Sequence, residues 1–207
     1  MTEPKTKRPL IVGVVMAGGL SRRMGGGDKF DIKLKEKSLL DRVVERAQPQ
    51  VDRLILNTNS DPDRFEYLRL PVIPDSVPGY AGPLAGILSG MEWVKAHEPE
   101  CRFIASFACD TPFFPLDLVS RLYAEMVNDQ ADIACAESGG RLHPVFGLWP
   151  VRLCESLRTA LVEEQLRKMG AWLQRYRCVE VGYSCEPFDP FFNINRPEDL
   201  ALAQSMA

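Results

Sequence analysis

No stretch of this chain reaches the ~20 consecutive apolar residues that a bilayer-spanning helix needs, so a helical membrane span is excluded. Histidine is scarce: His97 and His143 are the only two, too few for a histidine-rich metal centre. Six cysteines stand at 101, 109, 135, 154, 178 and 185. None of them forms a C-x2-C pair, so neither a zinc site nor a dithiol redox site is indicated. They are expected as free thiols in a reducing cytoplasm. There is no basic excess either. Lysine and arginine total 25 against 28 acidic residues, for a net charge of −3, and a general nucleic-acid binder would need the opposite balance. Both common nucleotide-binding motifs are missing. Asp28 and Phe30 flank Lys29, so G-x4-G-K-[ST] fails, and the glycines nearby do not have the G-x-G-x-x-G spacing of a dinucleotide-binding oxidoreductase.

What is present is an ordinary globular composition. Hydrophobic residues make up 45% and charged residues 26% of 207, enough for one packed domain. Short β-branched runs alternate with longer amphipathic segments, the sequence form of an α/β architecture. Strands are predicted over Leu10–Met16, Arg53–Asn57, Pro71–Ile73, Arg102–Ala108, Asp132–Ala136 and Val145–Leu148, with a weaker one over Arg177–Gly182. Helices are predicted over Leu39–Gln48, Pro83–Ala96, Leu116–Val127, Leu153–Glu163, Gln165–Arg175 and Pro197–Ser205. Residues 1–9 are expected as a flexible tail and residues 10–207 as a single three-layer α/β/α domain on a mixed, mainly parallel sheet. The start has the outline of a signal peptide, a basic segment followed by an apolar one. It is read as a tail and a buried first strand, because the residues from Gly18 onward carry chemistry. A ligand on such a sheet belongs at the carboxyl ends of the strands.

The densest chemical signal is Ala17–Lys29, AGGLSRRMGGGDK, where five of the ten residues from 18 to 27 are glycine. Glycines directly after a buried strand let the backbone approach a ligand and turn its N–H groups inward. Arg22, Arg23 and Lys29 add three cations, and together these make a phosphate cradle. Cys109-Asp110-Thr111-Pro112 ends an apolar strand. A carboxylate there suits a hard divalent cation such as Mg²⁺, which takes one or two carboxylates plus phosphate oxygens and water. The plainer role for Asp110 is a turn residue capping the next helix. Asn57-Thr58-Asn59, Asp75 and Gly82–Gly86 each follow a short strand and should gather on one rim, able to read a base edge or a ribose, although Asn and Asp also serve turns. In Phe192-Asn193-Ile194-Asn195 the two asparagines share one side of an extended segment, facing a phosphate, or Asn195 caps the final helix. His143 is expected as a core or substrate contact with no base role.

With these residues in place, the sequence resembles the bacterial molybdenum cofactor guanylyltransferases from about Ile11 to Ala203. The likeness is carried by AGGLSRRMGGGDK, LNTN, PDS, GPLAGI, CDTPF, HPVFGLWP and FFNINRPEDL, in the family's order. It implies a Rossmann-like nucleotidyltransferase fold of the nucleotide-diphospho-sugar transferase type. It also implies GMP transfer from GTP to molybdopterin, with release of pyrophosphate, Mg²⁺ as the cofactor and transient contacts with other molybdenum cofactor proteins. By the same resemblance Met16, Ala17, Gly18 and Gly19 contact the nucleotide and Lys29 meets its phosphates. Asn57 and Asp75 hold the nucleoside, Asp110 contacts GTP and Mg²⁺, and Asn193 and Asn195 lie near the metal and the pterin phosphate. Three departures bear on the loop's shape: Met16 for leucine, Phe30-Asp31-Ile32 after the lysine, and Ser38 for a common proline.

Such a reaction is an in-line attack by an oxygen that is already anionic, so the work is alignment and charge neutralisation rather than base catalysis. Lys29, Arg23 and Asp110 are the expected catalytic set. The nearest competing reading is a cytidylyltransferase for the same pterin, whose members tend to have AAG where this chain has Ala17-Gly18-Gly19. A sugar- or polyol-phosphate nucleotidylyltransferase is a broader one, and a non-catalytic regulator that kept the pocket belongs to another class.

Overall fold

Strand β1 (Ile11–Met16) is buried along its whole length. Ile11 and Val15 pack into one hydrophobic layer, and Val12, Val14 and Met16 into the other, which is the period-2 alternation of a strand covered on both faces. The computed structural model describes residues 8–18, 29–79 and 82–206. Within these, β2 (Lys33–Leu34) and β3 (Lys37–Ser38) lead into α1 (Leu39–Ala47), followed by β4 (Arg53–Asn57), β5 (Val72–Ile73) and α2 (Pro83–His97). Then come β6 (Phe103–Ala108), α3 (Leu118–Asn128), β7 (Ile133–Ser138) and β8 (Arg141–Pro150). The chain continues with α4 (Cys154–Val162), α5 (Met169–Leu173), β9 (Cys178–Tyr183) and α6 (Pro197–Met206).

Among the described residues the main sheet has seven strands in the order β5-β4-β1-β6-β8-β7-β9. Every neighbouring pair is parallel except those of β8, which runs antiparallel to both β6 and β7. From β1 the chain first builds outward through β4 and β5, then returns to place β6 on the other side. This reversal opens a crevice above the carboxyl ends of β1 and β6, where ligands of such sheets bind. Helices α1 and α3 cover one face through Leu40, Val43, Leu118 and Leu122. Helices α2, α4 and α5 cover the other through Ile87, Met91, Leu157 and Trp172. The expected three-layer architecture is therefore what forms. Helix α2 is buried over most of its circumference because α4 lies outside it. Gly90 allows it to press on β1, since a methyl group there would sit 2.5 Å from Val14 Cγ2.

Two predicted elements differ. The helix expected over Gln165–Arg175 shrinks to α5. Gln165 adopts a left-handed φ of 53° and the Leu166 N–H closes back on the Ala160 carbonyl, so the chain is still turning out of α4 where helix was expected. The strand expected over Val145–Leu148 extends back to Arg141, joined to β7 by Gly139 and Gly140, both with positive φ. Two such glycines form the two-residue turn that matches strand twist.

The departures around residues 30–38 are accommodated locally. Phe30 is buried edge-on against Phe65 at 5.0 Å, with the Arg64 guanidinium 4.8 Å above its ring. Burying such a side chain stabilises by about 2 kcal/mol. Ser38 caps α1. Its hydroxyl accepts from the Asp41 N–H at 3.0 Å, while Asp41 accepts from the Ser38 N–H at 3.3 Å, a reciprocal capping box.

Candidate active site

The rim above the crevice continues the sheet's own hydrogen bonding. The Ala17 N–H donates to the Asn57 carbonyl at 2.9 Å and the Cys109 N–H to the Met16 carbonyl at 3.2 Å. A cavity of about 500 Å³ opens here, walled by Met16 and Gly18 at the end of β1, Asn57, Asn59 and Asp75 at the ends of β4 and β5, and Asp110 after β6. Gly82, Arg141, His143 and Asn193 close it. The volume suits a small-molecule ligand.

One wall is built to hold a fixed carboxylate. Asp75 accepts from Asn57 Nδ2 at 3.1 Å on one oxygen and from Asn59 Nδ2 at 2.9 Å on the other, while its own N–H donates to Asn59 Oδ1 at 2.9 Å. Asn57 is buried and Asn59 exposed. Gly86, on the first turn of α2, makes room for this wall. A methyl group there would fall 2.5 Å from Asn57 Oδ1 and 2.9 Å from Met16 Sδ, a separation at which something must move.

The facing wall centres on Asp110. The buried Thr111 hydroxyl donates to Asn193 Oδ1 at 2.6 Å and lies 3.3 Å from Asp110 Oδ1. The Ile194 N–H donates to the Asp110 carbonyl at 2.8 Å. Ile194 itself is fully buried with Leu34, Leu39 and Ala203. The segment before α6 is thus tied to the end of β6 by backbone, hydroxyl and core contacts. Asn195 does not reach the main cavity; it lines a smaller adjoining one. The turn into α6 is held by Asp199, which accepts from the Asn195 and Arg196 N–H groups at 2.9 Å each.

Deeper in the site His143 belongs to a buried chain. The Ser138 hydroxyl donates to Asp189 Oδ1 at 2.8 Å. A hydroxyl has one proton to give, so the 2.8 Å contact with His143 Nε2 is an imidazole N–H donating to Ser138. The imidazole stacks on Phe191 at 4.7 Å. It is held neutral, because burial lowers its pKa from the ordinary 6.5; Arg141 lowers it too, while Asp189 and Glu137 act the other way.

A glycine-rich sequence after β1, a carboxylate held by two asparagines and a second carboxylate on the facing wall stand around one cavity, and the chain matches the MobA-like NTP transferase domain over residues 13–179. The chain belongs to that family. It is 51% identical to a molybdenum cofactor guanylyltransferase of Bradyrhizobium sp. (strain ORS 278), over 95% of this chain and 93% of that one. It is 49% identical to one of Rhodopseudomonas palustris (strain BisB5), over 99% and 97%. Among solved structures, molybdopterin-guanine dinucleotide biosynthesis protein A from Archaeoglobus fulgidus superposes with a TM-score of 0.73 at 24% identity, covering 94% of this chain and 97% of that one.

In this MobA-like chain the fold brings Met16, Gly18, Asn57, Asp75, Asp110 and Asn193 to one cavity. Ala17 turns its methyl into the α1–α3 layer, commits its N–H to the Asn57 carbonyl and does not line the cavity. Gly19, Arg22 and Arg23 lie outside the described residues. Lys29 is described by its backbone alone, at the start of a short 3₁₀ turn, Lys29–Asp31. Sequence reasoning missed Ser138, Arg141 and Asp189. The signal was there for the first two: Ser138-Gly139-Gly140-Arg141 between apolar runs reads as a hairpin turn.

The His143 chain makes stability depend on acid. Unfolded, this histidine binds its proton near the ordinary value; folded, only below it. The stability linked to it is therefore full above the ordinary value and is lost as pH falls through the folded one. Between about pH 7.5 and 5.5 the wild-type melting temperature should drop more than that of His143→Gln. Equal drops in the two melts would remove His143 from the acid response.

Proposed function

We propose that this chain transfers GMP from GTP to the phosphate of molybdopterin, releasing pyrophosphate and forming molybdopterin guanine dinucleotide. The observation that carries this reading is the gathering of Met16, Asn57, Asp75, Asp110 and Asn193 on one cavity at the sheet's switch point, in a chain about half identical to named guanylyltransferases.

In this reading an oxygen of the acceptor phosphate attacks the α-phosphorus of GTP. The new P–O bond forms as the bond to pyrophosphate breaks. The nucleophile arrives as an anion, so no proton has to be removed, and nothing in the wall needs to act as a base. Asp75, with both oxygens already held by Asn57 and Asn59, is fixed to accept from the sugar or base rather than to adapt to it. Gly18 offers backbone with nothing described within 4 Å of where a side chain would begin.

Nucleotidyl transfer as a class uses a divalent metal, and Mg²⁺ suits the donors here. Among the described residues no three His, Cys, Asp or Glu side chains converge to cage an ion. Of the two half-buried carboxylates on the cavity wall, Asp75 is held by the asparagines, and Asp110 matches a cation that takes most of its ligands from phosphate and water. When bound, the metal supplies charge neutralisation on the phosphates. Lys29 and Arg23 are assigned to the leaving pyrophosphate, Gly19 to the nucleotide beside Gly18, and Asn193 and Asn195 to the acceptor side. We place the reaction in the cytoplasm, in transient contact with other molybdenum cofactor proteins. No helix among the described residues is long and apolar enough to cross a membrane.

The test is pyrophosphate release from GTP, CTP and UTP, each with and without molybdopterin. Release from GTP that needs the pterin supports the reading, and a preference for CTP replaces it with the cytidylyl reaction. Gly18 sharpens the comparison. Gly18→Ala should leave the melt unchanged, because among the described residues the methyl meets nothing within 4 Å, yet weaken GTP use by about tenfold, the cost of about one mismatched methyl-sized contact. Unchanged GTP kinetics in this variant would remove Gly18 from the nucleotide.

A further inference from the structure

Two cavities share a wall in this protein. Arg141 and Asn193 line both the 500 Å³ site and a polar recess of about 320 Å³, which reaches on to Asn195 and Arg196. The two arginines come from different parts of the chain, one from the first residue of β8 and one from the turn before α6. Both are exposed, and among the described residues neither guanidinium has an ion-pair or hydrogen-bond partner. This sets them apart from Arg152, Arg158 and Arg175, each of which is paired with a carboxylate.

The recess also contains two acids, Asp189 and Asp199. Both are committed elsewhere. Asp189 accepts from the Ser138 hydroxyl at 2.8 Å and the Phe191 N–H at 2.9 Å. Asp199 accepts from the two N–H groups at the turn. Asp199 fixes the backbone that carries Arg196, Asp189 ties Ser138 to Phe191, and among the described residues neither acid bonds a guanidinium, which leaves both forks to an outside anion. A guanidinium presents a planar fork of donors matched to phosphate oxygens.

We propose that Arg141 and Arg196 form the subsite for a phosphate monoester on the acceptor substrate. Arg141, on the wall common to both cavities, holds that phosphate beside the nucleotide. This rests on the transfer reaction above, in which two anionic phosphates must be brought together. Positive charge lying between them is what that approach requires. It also gives β8 a reason to run antiparallel, since only that direction delivers its first residue to the catalytic rim.

The experiment compares Arg141→Gln, Arg196→Gln, the double variant and the corresponding lysine variants with wild type. Pyrophosphate release is followed while GTP or molybdopterin is varied, with thermal melts alongside. Loss of one charge-assisted contact predicts about a tenfold rise in the acceptor KM for each glutamine variant. The GTP KM should stay within about twofold, and lysine should restore part of the loss. An unchanged acceptor KM, or an equal rise in both KM values, would overturn the proposal, the second because the arginines would then serve the triphosphate. A separate arm titrates inorganic phosphate into each nucleotide-free protein by calorimetry. If wild type proves to make no guanine dinucleotide, the transfer reading falls, and this arm still decides the subsite. Phosphate bound by wild type and lost in the double variant keeps it; equal binding in the two, or none in wild type, discards it.

Discussion

Replacing Asp110 with asparagine should lower the transfer rate on the order of a thousandfold, with the folded structure intact. The side chain stands at the exit of β6, half-buried, on the wall of the 500 Å³ cavity. Its neighbours would tolerate the change in shape: Thr111 keeps its bond to Asn193, and the Ile194 N–H bonds the residue 110 carbonyl whichever side chain it carries. What is lost is the negative charge that would hold a divalent cation on the phosphates. Removing several kcal/mol of charge stabilisation from the transition state corresponds to a loss of this order. Asp110→Ala should be at least as poor. The measurement is pyrophosphate release across a range of Mg²⁺ concentrations, with a thermal melt as the folding control. An asparagine variant that turns over normally would mean that Asp110 does not hold the metal and is a turn residue.

Lys29→Ala should lower kcat and kcat/KM together, by about a hundredfold, rather than merely raise the KM for GTP. A lysine on the leaving phosphates gains strength as charge moves onto pyrophosphate, so its removal is felt in the transition state more than in binding. The backbone here is pinned by the next residue. Phe30 is buried against Phe65 and under Arg64, so alanine at position 29 leaves the anchor in place and the melt should not move. Arg22 and Arg23 are adjacent in the sequence, and they are expected to contribute unequally. Arg23→Ala should cost more than Arg22→Ala. Steady-state rates for the three single variants check this, and a Lys29→Ala protein with wild-type rates would return the glycine-rich segment to a solvated loop.

Much of this protein is legible in its sequence because the information is local. A buried run followed by a glycine cluster and cations points to a candidate phosphate-binding segment without any knowledge of the fold, since both the backbone freedom and the charge lie within a few residues. The same holds for Cys109-Asp110-Thr111-Pro112 after β6, and for Asn193 and Asn195 about a buried Ile194. The alternation of strand and helix fixed the architecture, because a sheet covered on both faces leaves continuous apolar runs.

What the sequence did not deliver depends on direction and on distance along the chain. Ligand residues on a parallel sheet are sought after the strands, but β8 runs the other way, so Arg141 and His143 reach the rim from its beginning. The chain Asp189–Ser138–His143 joins positions up to 51 apart, and only packing brings them together. Asn57, Asn59 and Asp75 could each have been ordinary turn residues. The parallel pairing of β4 with β5 places them side by side, and that juxtaposition turns three common side chains into one fixed carboxylate. Residue chemistry was set by the sequence, while the orientation of one strand and the order of seven decided which of those residues meet.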